Sequence, residues 1–239
     1  MKRAVFFTQF LSVTVFVGSN LAYLAHPDNQ GVQQPDASGA VQMVQLYLHP
    51  ASIMLWALLL ILWALLVLDT IGQWQDPSEP EGRSQDLRQL VWPGFSAALV
   101  LHALWPWLAQ PAPWLAALTG LVAAALAYHA TRCATDQNRP AIGFVAGWSL
   151  VIATALLASA LAGSLEMAPA QASILGILVA SGAGMTAQLQ LGRQVAFSIA
   201  VISGFCAIAV TTMIHDPVTA IACILGITAM TAVLIRAAS

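Results

Sequence analysis

The sequence predicts an all-α, polytopic membrane helix bundle with about eight transmembrane helices, and three observations carry that prediction. Of the 239 residues, 59% are hydrophobic and 8% charged, whereas a soluble domain of this size needs about a quarter charged residues to cover its surface. The apolar residues fall into eight runs, approximately 4–25, 51–72, 91–110, 113–131, 142–163, 169–190, 194–214 and 217–236. Each is close to the roughly 20 residues that a helix needs to cross a ~30 Å hydrocarbon layer. Finally, when crossings are counted, all eight basic residues (Lys2, Arg3, Arg83, Arg88, Arg132, Arg139, Arg193 and Arg236) fall on one side. A miscounted span would move every later basic residue to the other side, so the charge pattern checks the count independently of hydropathy.

Taken in order, the first run follows Met1-Lys2-Arg3 in the manner of a secretory signal. It is long for a signal core, and Ala22-Tyr23-Leu24 is a poor cleavage site, so it reads as a span. Residues 26–49 form the only long loop on the non-cytoplasmic side. Val41, Val44, Leu46 and Leu48, with Gln42 and Gln45 between them, make an amphipathic segment suited to lie across the mouth of a bundle. The second span carries Trp56 and Trp63, seven residues apart and hence on one helical face, and Asp69 in its last turn. Residues 73–89 read as a turn-rich linker around Asp76-Pro77-Ser78-Glu79-Pro80-Glu81-Gly82. Gln110-Pro111-Ala112-Pro113 is short enough to make the third and fourth spans an antiparallel hairpin.

The last three spans lack Trp and Tyr and are rich in small residues, among them Gly176, Ser181, Gly182, Gly184, Ser203 and Gly204. Small side chains let helices approach closely in lipid, where packing rather than hydrophobicity drives association. The chain therefore divides into an aromatic-rich unit, 1–163, and a small-residue unit, 164–239, packed as one bundle because no linker separates them. The loops opposite the basic side contain Asp28, Asp36, Glu166 and Asp216 and no Lys or Arg. By the positive-inside rule both termini are cytoplasmic.

Several function classes are excluded or disfavoured. Lys2 is the only lysine, so no span can form a retinal Schiff base. Asp69 is the only acid within a span, which argues against a proton or ion pump built on intramembrane carboxylates. A phosphate-binding loop, a zinc-protease helix and a Ser/His/Asp constellation are all missing, and the reading is of a non-enzyme. Cys133, Cys206 and Cys223 are too scattered for a disulfide framework and read as small apolar fillers. The basic residues occur singly or in pairs, so no nucleic-acid partner is expected.

Histidine and tryptophan carry what chemistry remains. His102 lies near the middle of the third span and His129 near the cytoplasmic end of the fourth. At 1.5 Å per residue their depths differ by about 10 Å, too far for axial ligation of one haem. His102 alone is either a neutral imidazole hydrogen-bonded to a neighbouring helix or a single ligand or donor to a bound tetrapyrrole. Trp74, Trp92, Trp107 and Trp114 flank spans, where indole favours the headgroup zone. Trp56, Trp63, Trp105 and Trp148 lie deeper, where each N–H needs a partner; such rings either pack against helices or line a pocket for a flat ligand.

The order of features resembles the translocator protein family, the tryptophan-rich sensory proteins also called TspO or peripheral benzodiazepine receptor-like, and especially their longer bacterial relatives. The corresponding residues are Asn20-Leu21-Ala22, Pro27-Asp28-Asn29-Gln30-Gly31, Leu46-Tyr47-Leu48-His49-Pro50-Ala51 and Trp56. Further landmarks are Arg88, His102-Ala103-Leu104-Trp105, Gly143 to Trp148, and Arg193. Two departures stand out: Leu55-Trp56-Ala57-Leu58-Leu59-Leu60 lacks the Gly and Tyr of the family's second span, and His102-Ala103 replaces its usual Leu-Asn.

The resemblance implies a five-helix bundle capped by the first loop, with a pocket for porphyrin-like or sterol-like molecules, extended by three helices. Carried over position by position, the pocket would involve Asn20, Tyr47 within the 41–49 cap, Trp56, His102, Trp105 and Trp148. The implied cofactor is a porphyrin, haem or chlorophyll-type pigment held non-covalently. The expected function is non-enzymatic binding of a tetrapyrrole- or lipid-like ligand in a bacterial inner membrane, cytoplasmic or intracytoplasmic. The alternative is an accessory subunit of a photosynthetic or respiratory complex. Expected partners are membrane lipids and a membrane complex or second copy met through the last three helices.

Overall fold

The computed structural model describes the backbone of residues 2–26, 42–50, 52–75, 83–134 and 139–238, and their side chains apart from 2–5, 73, 75, 83–90 and 238. Among the described residues there are nine helices and no strand: α1 (Lys2–Ala25), α2 (Met43–Leu48), α3 (Ile53–Gln75), α4 (Arg83–Leu108), α5 (Pro113–Cys133), α6 (Pro140–Leu165), α7 (Pro169–Leu191), α8 (Val195–Thr212) and α9 (Pro217–Ala238). Residues 27–41 of the outer loop, Val41 of the amphipathic segment and the 76–82 linker lie outside the described set.

The helix ends follow local chemistry. Pro stands at the first position of α5, α6, α7 and α9, where its missing N–H leaves no helical bond unmade. Asp216 caps α9, its carboxylate accepting from the Thr219 amide at 3.1 Å and the Thr219 hydroxyl at 2.6 Å. Gly192, at φ 58°, ends α7 in a conformation that a side chain would strain.

Among the described residues seven helices are long and apolar enough to cross a membrane, and the chain is a multi-pass membrane protein. The remaining long helix, α4, is the antiparallel neighbour of α5 and packs between α1 and α5. It starts at Arg83, eight residues before the apolar run expected at 91–110. Arg83 to Leu90 contains no Gly or Pro, and its Arg, Gln and Leu residues favour helix, so the helix continues into the segment read as linker. Pro93, Pro106 and His102 dilute the apolar content of α4 without ending it.

α6 is the centre of the bundle. Its apolar window is 89% buried, against 33–56% for the other six candidate spans. α5, α7 and α8 pack around it, α2 and α3 touch it, and α9 closes on α7 and α8. One hydrophobic cluster runs from Val13 in α1 to Met230 in α9, across both the aromatic-rich and small-residue parts of the chain. Glycines permit the tightest crossings. A Cβ at Gly147 would collide with the Phe197 carbonyl oxygen, so α6 and α8 meet backbone to backbone.

The alternating helices gather the chemistry into two ends. At one end, the Thr131 hydroxyl donates to the Ile142 carbonyl at 3.2 Å and Tyr128 to Gln190 at 2.5 Å. Arg132, Arg139, Arg193 and Arg236 all lie at this end. At the other, Trp107 donates to Ser19 at 2.9 Å, Trp114 to Ser164 at 2.9 Å and Thr211 to Ser52 at 3.1 Å.

Candidate functional site

The non-basic end is closed by α2. Five of its six residues are buried, so the expected amphipathic segment is docked rather than free. Its N-cap residue Gln42 accepts from the Ser159 hydroxyl of α6 at 2.9 Å. Tyr47 points into the bundle, is 5% exposed, and meets the Trp148 ring edge to face at 5.1 Å and 88°. Its hydroxyl donates to the Gly204 carbonyl of α8 at 3.4 Å, the long limit of such a bond. His49, which follows α2, is tilted over Tyr23 at 6.2 Å, and burial lowers its pKa from the ordinary value.

Beside Trp148, Ser149 reaches across to α4. Its hydroxyl donates to the Val145 carbonyl at 2.6 Å and lies 2.6 Å from His102 Nε2. The proton in the bond to Nε2 belongs to either partner according to the imidazole tautomer, so Nδ1 carries either a lone pair or an N–H. That nitrogen is buried and has no partner among the described residues. The Phe16 ring of α1 stands edge-on to the imidazole at 6.3 Å. Of the two readings open for His102, the contact present is the hydrogen bond to a neighbouring helix. Its second nitrogen is unused.

Of the six sequence-derived site residues, Tyr47 and Trp148 meet, while His102 bonds Ser149, the residue after Trp148. Trp105 is buried, 3% exposed, farther along α4. Asn20 turns back on its own helix, donating to the Phe16 carbonyl at 2.7 Å. Trp56 is 38% exposed on the outer surface of α3 and stands apart from the buried rings. The N–H of the deep Trp63 has no partner among the described residues. Trp92, expected in the headgroup belt, is instead buried beneath the Arg139 guanidinium, which lies 4.3 Å from its ring centre.

That last contact belongs to a cluster that sequence reasoning missed. Asp69 of α3 accepts from Arg139, the residue before α6, with Nε to Oδ1 at 3.2 Å and Nη2 to Oδ2 at 3.3 Å. It also accepts from Gln9 of α1 at 2.9 Å. With Trp92 of α4, four helices are joined at the basic end. The available signal was Asp69 itself, since a carboxylate in an apolar span needs a partner.

Beneath α2 at the opposite end, Gln42, Met43, Ala155, Ala158, Ser159, Pro169, Ala172 and Ser173 line a shallow crevice without room for a water molecule. Among the described residues no group of three or more His, Cys, Asp and Glu side chains could hold a metal ion. No family model, curated protein or solved structure matches the chain.

Proposed function

We propose that this protein is a non-enzymatic, multi-pass protein of a bacterial inner membrane, with both termini cytoplasmic, that binds a flat hydrophobic ligand of the tetrapyrrole or lipid class. The site would lie along α6, between α2 and the His102 side chain of α4. The observation that carries the reading is the buried Nδ1 of His102, which has no partner among the described residues, on a histidine bonded to the residue that follows Trp148 in α6. A buried polar atom without a partner costs about 1–3 kcal/mol, and a hydrogen bond from or to a ligand would remove that cost. The orientation rests on the basic residues of one end, and the resemblance to TspO-like proteins supports the ligand class.

Titration of the purified protein with a porphyrin, followed by tryptophan fluorescence, tests this. Saturable quenching is expected, weakened about tenfold by His102→Ala and reduced in amplitude by Trp148→Phe. Absent saturation, or quenching indifferent to both substitutions, would contradict the proposal.

A second reading, an accessory subunit of a larger membrane assembly, is favoured by a different observation. Tyr47, His102, Trp105 and Trp148 are each 5% exposed or less, as in a packed core. The apolar residues Leu178, Ile221 and Leu225 of the last helices face outward. Native electrophoresis of gently solubilised membranes discriminates, because migration as a lone monomer or homodimer removes this second reading.

A further inference from the structure

The gap between α5 and α7 joins a pair of arginines to an apolar furrow. Both helices pack on α6 and run toward the basic end, and they touch each other only slightly. One link between them is the hydrogen bond from the Tyr128 hydroxyl to Gln190. Each chain segment then carries an arginine about one turn past that bond, Arg132 in the last turn of α5 and Arg193 just after the end of α7. Both arginines are exposed.

Deeper in the membrane the gap stays open to lipid. α6 is buried over most of its length, yet Leu150 and Leu157, seven residues apart on one face, are half-buried. That face looks between the two helices. Leu150 comes within 3.6 Å of the point where a Cβ of Gly184 in α7 would stand, and Ser164, a further seven residues along, accepts from the Trp114 N–H of α5. The walls are small. Ala124 of α5, one turn before Tyr128, and Ala183 and Ala187 of α7, seven and three residues before Gln190, are half-buried as well.

Charge and shape together select the occupant. The arginines stand at the membrane border, where a basic residue favours an anionic headgroup about fivefold. Two of them flank one gap, and a guanidinium fork matches the oxygens of a phosphate. Below them the walls and floor are alanine and leucine, which suits an acyl chain.

We propose that the gap between α5 and α7 is a site for an anionic glycerophospholipid, its phosphate held by Arg132 and Arg193 and the upper part of one acyl chain lying in the alanine–leucine furrow. The site requires only that the basic end meet a lipid leaflet, and it is independent of any ligand at His102.

Two lipids that differ in headgroup charge test it. Delipidated protein is titrated with phosphatidylglycerol, or with phosphatidylcholine of identical acyl chains, and bound lipid is read by native mass spectrometry. The wild type is expected to prefer phosphatidylglycerol. Arg132→Gln and Arg193→Gln should each lower that preference about fivefold, whereas Arg236→Gln, which removes the same charge at the same end from α9, should leave it unchanged. Ala183→Leu, which fills the furrow with every charge in place, should weaken phosphatidylglycerol binding. Glycerol phosphate, a headgroup without chains, should fail to compete at equal concentration. Equal binding of the two lipids by the wild type, equal losses in all three arginine variants, or full competition by glycerol phosphate would overturn the proposal. The three arginines are exposed, so their variants should fold, and thermal melting of each variant verifies it.

Discussion

At the scale of single residues, Asp69 shows how an apolar span tolerates a charge. Its carboxylate and the Arg139 guanidinium are 8% and 14% exposed. Each would be costly to bury alone, and together they satisfy one another while Gln9 adds a donor and Trp92 a ring face. Asp69→Asn should lower stability by about 3 kcal/mol, because Arg139 is then buried without a counter-charge. Thermal melting in detergent measures this, and the double variant Asp69→Asn, Arg139→Met should melt above the single one. Asp69 was visible in the sequence as the only acid in a span. Its partner was not, since Arg139 lies 70 residues away and had registered only as a topological marker. The same limit applied to His102: its depth was legible, whereas its hydrogen bond to Ser149 on another helix was not.

At the scale of elements, the spacing of apolar runs fixed the spans to within a few residues, apart from the early start of α4. Which face of each span turns inward was harder to read. Lipid is as apolar as a protein core, so a lipid-exposed ring and a buried ring look alike along the chain. Trp56 and Trp63 share a helical side by spacing, yet one is 38% exposed and the other 9%. Small residues are better guides, because a glycine at a crossing records how closely two backbones approach. Gly147→Ala should destabilise the protein by about 2 kcal/mol, since the added methyl meets the Phe197 carbonyl and the Ala200 side chain. Gly182, with nothing within 4 Å of a built Cβ, is the control. Gly182→Ala should be neutral or stabilising by about 0.5 kcal/mol. Gly147→Ala should therefore melt below the wild type, and Gly182→Ala at or above it.

At the scale of the whole molecule, antiparallel alternation converts a one-dimensional charge pattern into a bundle with one cationic end. α5, α7 and α9 each bring Arg132, Arg193 or Arg236 to that end as they finish or just after, and Arg139 joins them at the start of α6. The opposite end holds α2, the tryptophan–serine bonds at Ser19 and Ser164, and the crevice beneath α2. The binding site proposed along α6 depends on this two-ended arrangement, because it places α2 over Trp148. The direct measurement is labelling of single cysteines placed at 132, 193, 236, 166 and 215, in a background without native cysteines, with an impermeant maleimide applied to oriented membrane vesicles. Positions 132, 193 and 236 should react only from the cytoplasmic face, and 166 and 215 only from the opposite one. Reaction of 132 and 193 from different faces would contradict the account.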